Sequence, residues 1–380
     1  MRRHIIKFIR RGITFCLLFI CLTSLIIIIP SYVFYFGNEH IPIDKIISLQ
    51  KNSKIDILYG KAYSNEQSLY KLKLINSNKC EVISLGTSRV MQFRSHFFND
   101  SFCNAGGGIY NINDAKEFLE NVDKKKLPKL IILELDQNFF HEKSLDDRQS
   151  FKETKWYFLF IPQNTFKIYL DILNKKINFS KLRNERTHIG LTAIMRGDGF
   201  RKDGSYFYND TITKNESVEL RIASTLNNVR SIHGYGRFIK NVEFDNESLG
   251  ELKPVLDLCK NNNIQVIGFL PPFAKEVWSE IEKYKENYQY MFKIEKNVKP
   301  LFETYGYDFY DFSDLDDINA PNCEIIDDLH GSEKAYLRIL IRMAETNNEL
   351  LKFVDLNYLN RKLAKSEGCF LTYNPSLTDK

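Results

Sequence analysis

Glu81-Val82-Ile83-Ser84-Leu85-Gly86-Thr87-Ser88-Arg89 decides how this chain is read. An apolar, β-branched run enters Gly-Thr-Ser, and an amphipathic segment over 90–98 follows at once, which predicts a buried strand, a sharp turn and a helix start. A serine in that turn stands past the carboxyl end of a strand, where open α/β sheets keep their ligand crevices, and its own N–H lies at the positive end of the expected helix. Serine is also a good N-cap. The stretch by itself therefore supports either role, and the rest of the chain has to choose.

Downstream, a short strand over 101–103 leads into Asn104-Ala105-Gly106-Gly107-Gly108, a helix is expected over 114–123, and the strand over 129–135 empties into Asp136-Gln137-Asn138. Strand and helix in alternation predict a parallel sheet in a three-layer α/β/α arrangement. Between Phe139 and Gly250 the alternation stops for longer than a plain connection explains, and an inserted subdomain over about 140–248, packed beside the strand ends, is expected there. The pattern resumes with a helix over 249–260, a strand over 264–270 ending in Pro271-Pro272, a long amphipathic helix over 274–298 and a last strand over 307–312. Asp327-Asp328-Leu329-His330 and an apolar helix through Met343 follow. Residues 351–380 read as a loosely packed tail.

From Gly12 to Phe36 there is no charged residue, and 13–29 is almost wholly apolar, while Arg2, Arg3, Lys7, Arg10 and Arg11 all precede it. That pattern predicts an uncleaved transmembrane anchor over 1–36 with its basic tip in the cytoplasm, a tether over 37–79, and a domain over 80–350 outside the cytoplasmic membrane. A cleaved signal peptide is the alternative, but the apolar core is long for one and no small-x-small site follows it. Without those five cations the chain carries 48 basic against 48 acidic residues. Nothing in it asks for nucleic acid. Of seven cysteines, Cys16 and Cys21 lie in the expected span. The remaining five include no C-x-x-C, which points away from a zinc knuckle and leaves room for one bridge, Cys323 to Cys369.

Three strand ends thus present polar groups at one edge of one sheet: Ser88, the glycine run and Asn138. An acyl-transfer site needs a nucleophile, a base, a group orienting the base, and donors aimed at the developing oxyanion. Asp327 and His330, three apart in a turn entering a helix, can supply orienter and base. Each has a plainer role open to it: the aspartates as solvated helix-start carboxylates, the histidine as a surface residue, the glycines as a loop. Arg89 reads as a brace for the turn or the partner of an acid, rather than as a substrate contact. The other histidines show no metal-ligand spacing, so no metal and no cofactor is expected.

These residues resemble the SGNH (GDSL-like) hydrolase superfamily over roughly 80–140 and 250–345. Gly86-Thr87-Ser88 is similar to the block carrying the nucleophile, Asn104 to Gly108 to the Asn/Gly block, Asn138 to the third block and Asp327 to His330 to the last. Thr87 stands where the family commonly has Asp, and Phe139 where it has an acid. Together with the N-terminal anchor and Pro271-Pro272, the Gly-Thr-Ser-Arg variant looks most like the bacterial cell-surface branch, which modifies polysaccharides by O-acetylation or transfers D-alanine to teichoic acid. The resemblance implies a flavodoxin-like strand order, catalytic Ser88, His330 and Asp327, and oxyanion donors from Gly108 and Asn138, with Gly108 chosen by spacing among the three glycines. It implies a serine O-acyltransferase or esterase acting on a cell-envelope glycan, and a multispanning membrane acyltransferase as partner. The aromatics Trp156, Tyr157, Tyr206, Phe207 and Tyr208 of the insertion are candidates for stacking on sugar rings. The competing expectation is a non-catalytic scaffold or glycan-binding subunit of an envelope assembly.

Overall fold

Strands β1 (Val82–Gly86), β2 (Phe102–Gly106) and β3 (Leu130–Glu134) are buried at every position, as continuous apolar runs covered on both faces must be. The hairpin strands β4 (Gly199–Phe200) and β5 (Tyr206–Phe207) form a separate two-stranded sheet. With β6 (Gln265–Leu270) and β7 (Asp308–Asp311), the first three make a five-stranded sheet in the order β2-β1-β3-β6-β7, each neighbouring pair parallel. The order reverses direction at β1 and β3, and an open parallel sheet keeps its crevice at the carboxyl ends of such strands. Gly86 and Glu134, the last residues of β1 and β3, lie at that edge.

The computed structural model describes residues 2–141, 151, 162–214, 216–231, 238, 240 and 243–372. They divide into two compact units, Met1–Asn65 with Glu153–Gly199, and Glu66–Lys152 with Phe200–Lys380. The second contains the sheet. The insertion expected over 140–248 is therefore shared: of its described residues, 162–199 belong to the first unit and those before and after them to the sheet unit.

Several local expectations change under tertiary contacts. After Ser88 no long helix forms; 3-10 turns over Ser88–Val90 and Ser95–Phe97 replace it. The carbonyls a helix would use are taken from outside the segment: Asn104 Nδ2 donates to Val90 O and Phe93 O at 3.0 Å, and Tyr206 N–H donates to Met91 O at 3.1 Å. The long helix expected over 274–298 is broken into Lys275–Lys283 and Ile294–Thr304, with 3-10 turns between. Buried Tyr288 sits at that break and donates its hydroxyl to Phe238 O at 2.9 Å. The tail is tied down as well. Helix Leu356–Lys365 packs on Glu333–Ala344, and Cys369 bridges to Cys323.

A second bridge, Cys80–Cys103, joins the approach to β1 to the middle of β2 with Cα atoms 5.7 Å apart. Sequence spacing gave no sign of it, because the pairing depends on strand neighbours. Closing the 46-residue span between Cys323 and Cys369 restricts the unfolded chain. Replacing both of these cysteines by Ser is expected to cost about 2–4 kcal/mol in urea unfolding. Unchanged stability would show that the bridge contributes nothing.

In the first unit, the stretch expected as a tether is partly structured. Helix Ile43–Asn52 buries Ile43, Ile46 and Ile47, and the buried Glu39 carboxylate accepts from the N–H groups of Ala62 at 3.0 Å and Leu191 at 2.8 Å. Such a carboxylate serves as a backbone anchor that periodicity cannot reveal. The N-terminal helix runs Arg2–Phe36. Among the described residues no helix is long and apolar enough to cross a membrane, so the expected span is not shown; the side chains at 21–23 and 25 are outside the described set.

Candidate active site

Ser88 opens the 3-10 turn directly beyond β1. The Ser88 hydroxyl lies 2.9 Å from His330 Nε2, although 242 positions separate them in sequence. On the other side of the ring, His330 Nδ1 lies 2.8 and 3.0 Å from the two Asp327 oxygens. This leaves one tautomer consistent with both contacts: Nδ1–H donates to Asp327, and Nε2 accepts from the serine. The Asp327 carboxylate is itself fixed by the N–H groups of Leu329 and His330 at 2.9 and 2.8 Å. Packing around Asp327 opposes its ionisation, but the imidazole, its hydrogen bond and the two backbone donors outweigh that and hold the carboxyl well below the usual carboxylate range. Asp328 faces elsewhere. Its carboxylate accepts from the Thr225 hydroxyl, and burial followed by the charge of Asp327 raises its pKa.

Arg89 fills the space behind Ser88 and is 1% exposed. Its guanidinium donates to Leu329 O at 3.2 Å, Gln137 Oε1 at 2.5 Å, and Pro271 O and Pro272 O at 2.9 Å each. It also lies 3.8 Å from Asp136 and 4.5 Å above the Phe273 ring. One side chain thereby links the turn after β1, the ends of β3 and β6, and the residue before His330. A planar fork with five donors suits this task in a way an ammonium does not.

Glu134 sits beneath the same turn, fully buried, with Oε2 accepting from Thr87 N–H at 2.5 Å and Oε1 without a hydrogen-bond partner among the described residues. A Cβ on Gly86 would come within 2.3 Å of that carboxylate, which explains the glycine. Burial, then the charge of Asp136, push Glu134 up from 4.5 to about 7 against the pull of Arg89. Because folding raises this pKa, its stabilising contribution is complete below the unfolded value and is lost as pH rises through about 7. The thermal midpoint of the wild type should therefore fall relative to Glu134→Gln as pH rises from the ordinary carboxyl value through neutrality. Parallel midpoints for the two proteins across that window would remove this role.

The glycine run packs against the turn at Ser88, and each of its N–H groups is taken by an acceptor other than the Ser88 hydroxyl. Gly106 N–H donates to Asn104 Oδ1 at 2.8 Å, Gly107 N–H to Gly86 O at 2.9 Å and Thr87 O at 2.8 Å, and Gly108 N–H to Ala105 O at 2.9 Å. Gly108, expected as an oxyanion donor, has its N–H committed inside the loop, because the chain turns back on itself through Gly107 at φ +76°. Asn138 lies in the 3-10 turn Gln137–Phe140, with its N–H and its side-chain Nδ2 each donating to Asp136 Oδ1 at 3.0 Å. Its amide carries a second hydrogen, and the side chain is half-buried. No partner for the Ser88 N–H is found among the described residues.

The insertion supplies a wall to the site. Tyr206, Phe207 and Tyr208 are half-buried, and the Tyr208 ring lies 5.8 Å from the His330 ring and next to Tyr206 at 4.7 Å. Trp156 and Tyr157 lie outside the described residues. Just past His330, buried Glu333 pairs with Arg94 and, at 3.0 Å, with Arg201. These contacts hold the base turn against the segment after Ser88 and the β4–β5 hairpin. Sequence reading missed Glu134, Gln137 and Glu333 as parts of this frame, since each is one acid or amide among many until the strands bring it inward. Among the described residues no group of His, Cys, Asp and Glu is arranged to hold a metal ion. No family model matches the chain, and no curated protein matches it.

Proposed function

We propose that the chain is a membrane-anchored, extracytoplasmic serine O-acyltransferase or esterase of the SGNH type, three-layered, acting on a cell-envelope polysaccharide through an acyl-enzyme. The observation that carries this reading is the Ser88–His330–Asp327 chain of contacts at 2.9 and 2.8 Å, at the carboxyl edge of a parallel sheet. His330 Nε2 takes the Ser88 proton as Oγ attacks the acyl carbonyl; the imidazolium is stabilised by Asp327 and returns the proton to the leaving group. A sugar hydroxyl or water, deprotonated by His330, then attacks the acyl-enzyme and Ser88 leaves with the proton restored. The Ser88 N–H and the second amide hydrogen of Asn138 serve the oxyanion. Gly108 joins them only if its N–H leaves Ala105 O when substrate binds.

The two disulfides suit an oxidising compartment outside the cytoplasm. The N-terminal helix exposes Phe15, Leu17, Leu18, Phe19, Ile26, Ile27 and Ile28 at 54–70%, a row of apolar side chains that calls for cover by something other than water. Tyr206 and Tyr208 beside His330 suit the face of a sugar acceptor. A multispanning acyltransferase is the proposed donor partner. One observation favours a second reading, a non-catalytic scaffold: all three glycine N–H groups are engaged.

A serine-reactive fluorophosphonate separates the two. Stoichiometric labelling of the folded wild type that disappears in Ser88→Ala supports the enzyme. Folded protein that takes no label favours the scaffold.

A further inference from the structure

Within the first unit, helix Pro162–Leu173 is apolar on two opposite faces. Ile168 on one side is fully buried and joins Val33, Phe34, Ile177, Leu182 and Leu191 in a small core of their own. On the other side Phe166, Leu170 and Leu173, spaced i, i+4 and i+7, are 65, 40 and 76% exposed. That spacing sets them on one stripe of an α-helix. Soluble surface helices carry polar residues there, and a contiguous exposed apolar stripe marks an interaction site.

Three observations name the occupant. First, the helix packs against the N-terminal helix Arg2–Phe36, whose own apolar side chains at 26–28 are exposed, so two neighbouring helices both carry uncovered apolar side chains. Second, helix Phe179–Asn184 packs on the same N-terminal helix and adds Phe179, 43% exposed, with its ring 6.2 Å from Tyr32. Third, the sequence just after the stripe is basic: Lys175, Lys176, Lys181, Arg183 and Arg186 stand against the acid Glu185. Arg186 lies over the Phe36 ring at 5.3 Å, at the end of the N-terminal helix. Apolar side chains on one face of a helix with cations beside them, next to an apolar anchor, is the chemistry of a helix lying in a lipid interface.

We infer that Phe166, Leu170, Leu173 and Phe179 form an interfacial seat that inserts into the lipid headgroup and acyl boundary beside the N-terminal helix. The inference rests on the anchor reading above. It gives the first unit two membrane contacts, the N-terminal anchor and the seat beside it. The seat also limits rotation of that unit about the anchor axis.

The test uses the full chain, in a Trp156→Phe, Trp278→Phe background, bound to phosphatidylcholine–phosphatidylglycerol vesicles whose acyl chains are brominated. Single tryptophans replace Phe166, Leu173, Leu18 on the N-terminal helix, and Leu351, an exposed leucine of the sheet unit. Bromine quenches tryptophan only on close approach. Loss of fluorescence and a blue shift at 166 and 173, with neither change at 351, is the expected result. Quenching at 18 with none at 166 or 173 would overturn the seat while leaving the anchor standing, and would turn the stripe over to a protein partner. An unquenched Leu18→Trp would defeat the anchor reading itself.

Discussion

If Ser88, His330 and Asp327 act as proposed, Ser88→Ala and His330→Ala are each expected to lower hydrolysis of an activated ester such as p-nitrophenyl acetate by roughly 10⁴- to 10⁶-fold, as in serine triads whose members act as a unit. The reason is geometric. The serine hydroxyl has one basic partner, His330 Nε2 at 2.9 Å, so losing either side leaves no route for the proton. The double variant should be no slower than the slower single one. Asp327→Asn keeps nucleophile and base but removes the acceptor that selects the Nδ1–H tautomer, and a loss of up to ~10⁴-fold is expected by analogy with the protease triad. Asp328→Asn supplies the contrast, because Asp328 serves Thr225; its rate should stay close to wild type. Undiminished turnover in the Ser88, His330 and Asp327 variants would eliminate the site, and equal losses at Asp327 and Asp328 would show that the turn is merely fragile.

Arg89→Met should be the most destabilising of these substitutions, by about 3–5 kcal/mol in denaturant unfolding, the usual cost of leaving a buried charge without its partner. Methionine fills much of the volume but abandons four acceptors, Leu329 O, Gln137 Oε1, Pro271 O and Pro272 O, and the charge of Asp136. Arg89→Lys retains the charge and loses the fork, so its stability should fall between the two. A loss within the ±0.5 kcal/mol typical of surface changes would mean that the clamp contributes nothing to the edge on which Ser88 and His330 meet.

How much of this was legible beforehand follows from the range of each interaction. The strands were readable because a fully buried parallel strand is an unbroken apolar run, and β1, β3, β6 and β7 lie within a residue or so of where apolar runs and flanking prolines place them. The segment after Ser88 was misjudged as helix, because its spacing is amphipathic while Asn104 and Tyr206 take its carbonyls. The strand expected to end at Cys103 runs on to Gly106, so only Gly107 and Gly108 lie beyond it, and the hydrogen bonds of the glycine run were invisible: spacing can find three glycines and cannot say which way an N–H points.

What the amino-acid sequence determined by itself was the strands of the parallel sheet, though not the β4–β5 hairpin, the alternation that makes that sheet parallel, and the identity of Ser88, Asp327 and His330 as residues that chain order brings to one edge. Those are local facts, carried by side-chain period and by the requirement that parallel strands be joined through crossovers. Tertiary structure decided the rest: which carbonyls Arg89 clamps, that Glu134 lies buried beneath the turn at Ser88, that Cys80 meets Cys103, and that the stretch after the N-terminal helix joins 153–199 in a unit of its own. Each depends on partners between 23 and 240 positions away. A pattern read along the chain holds no information on such pairings until burial forces every polar group to find its acceptor.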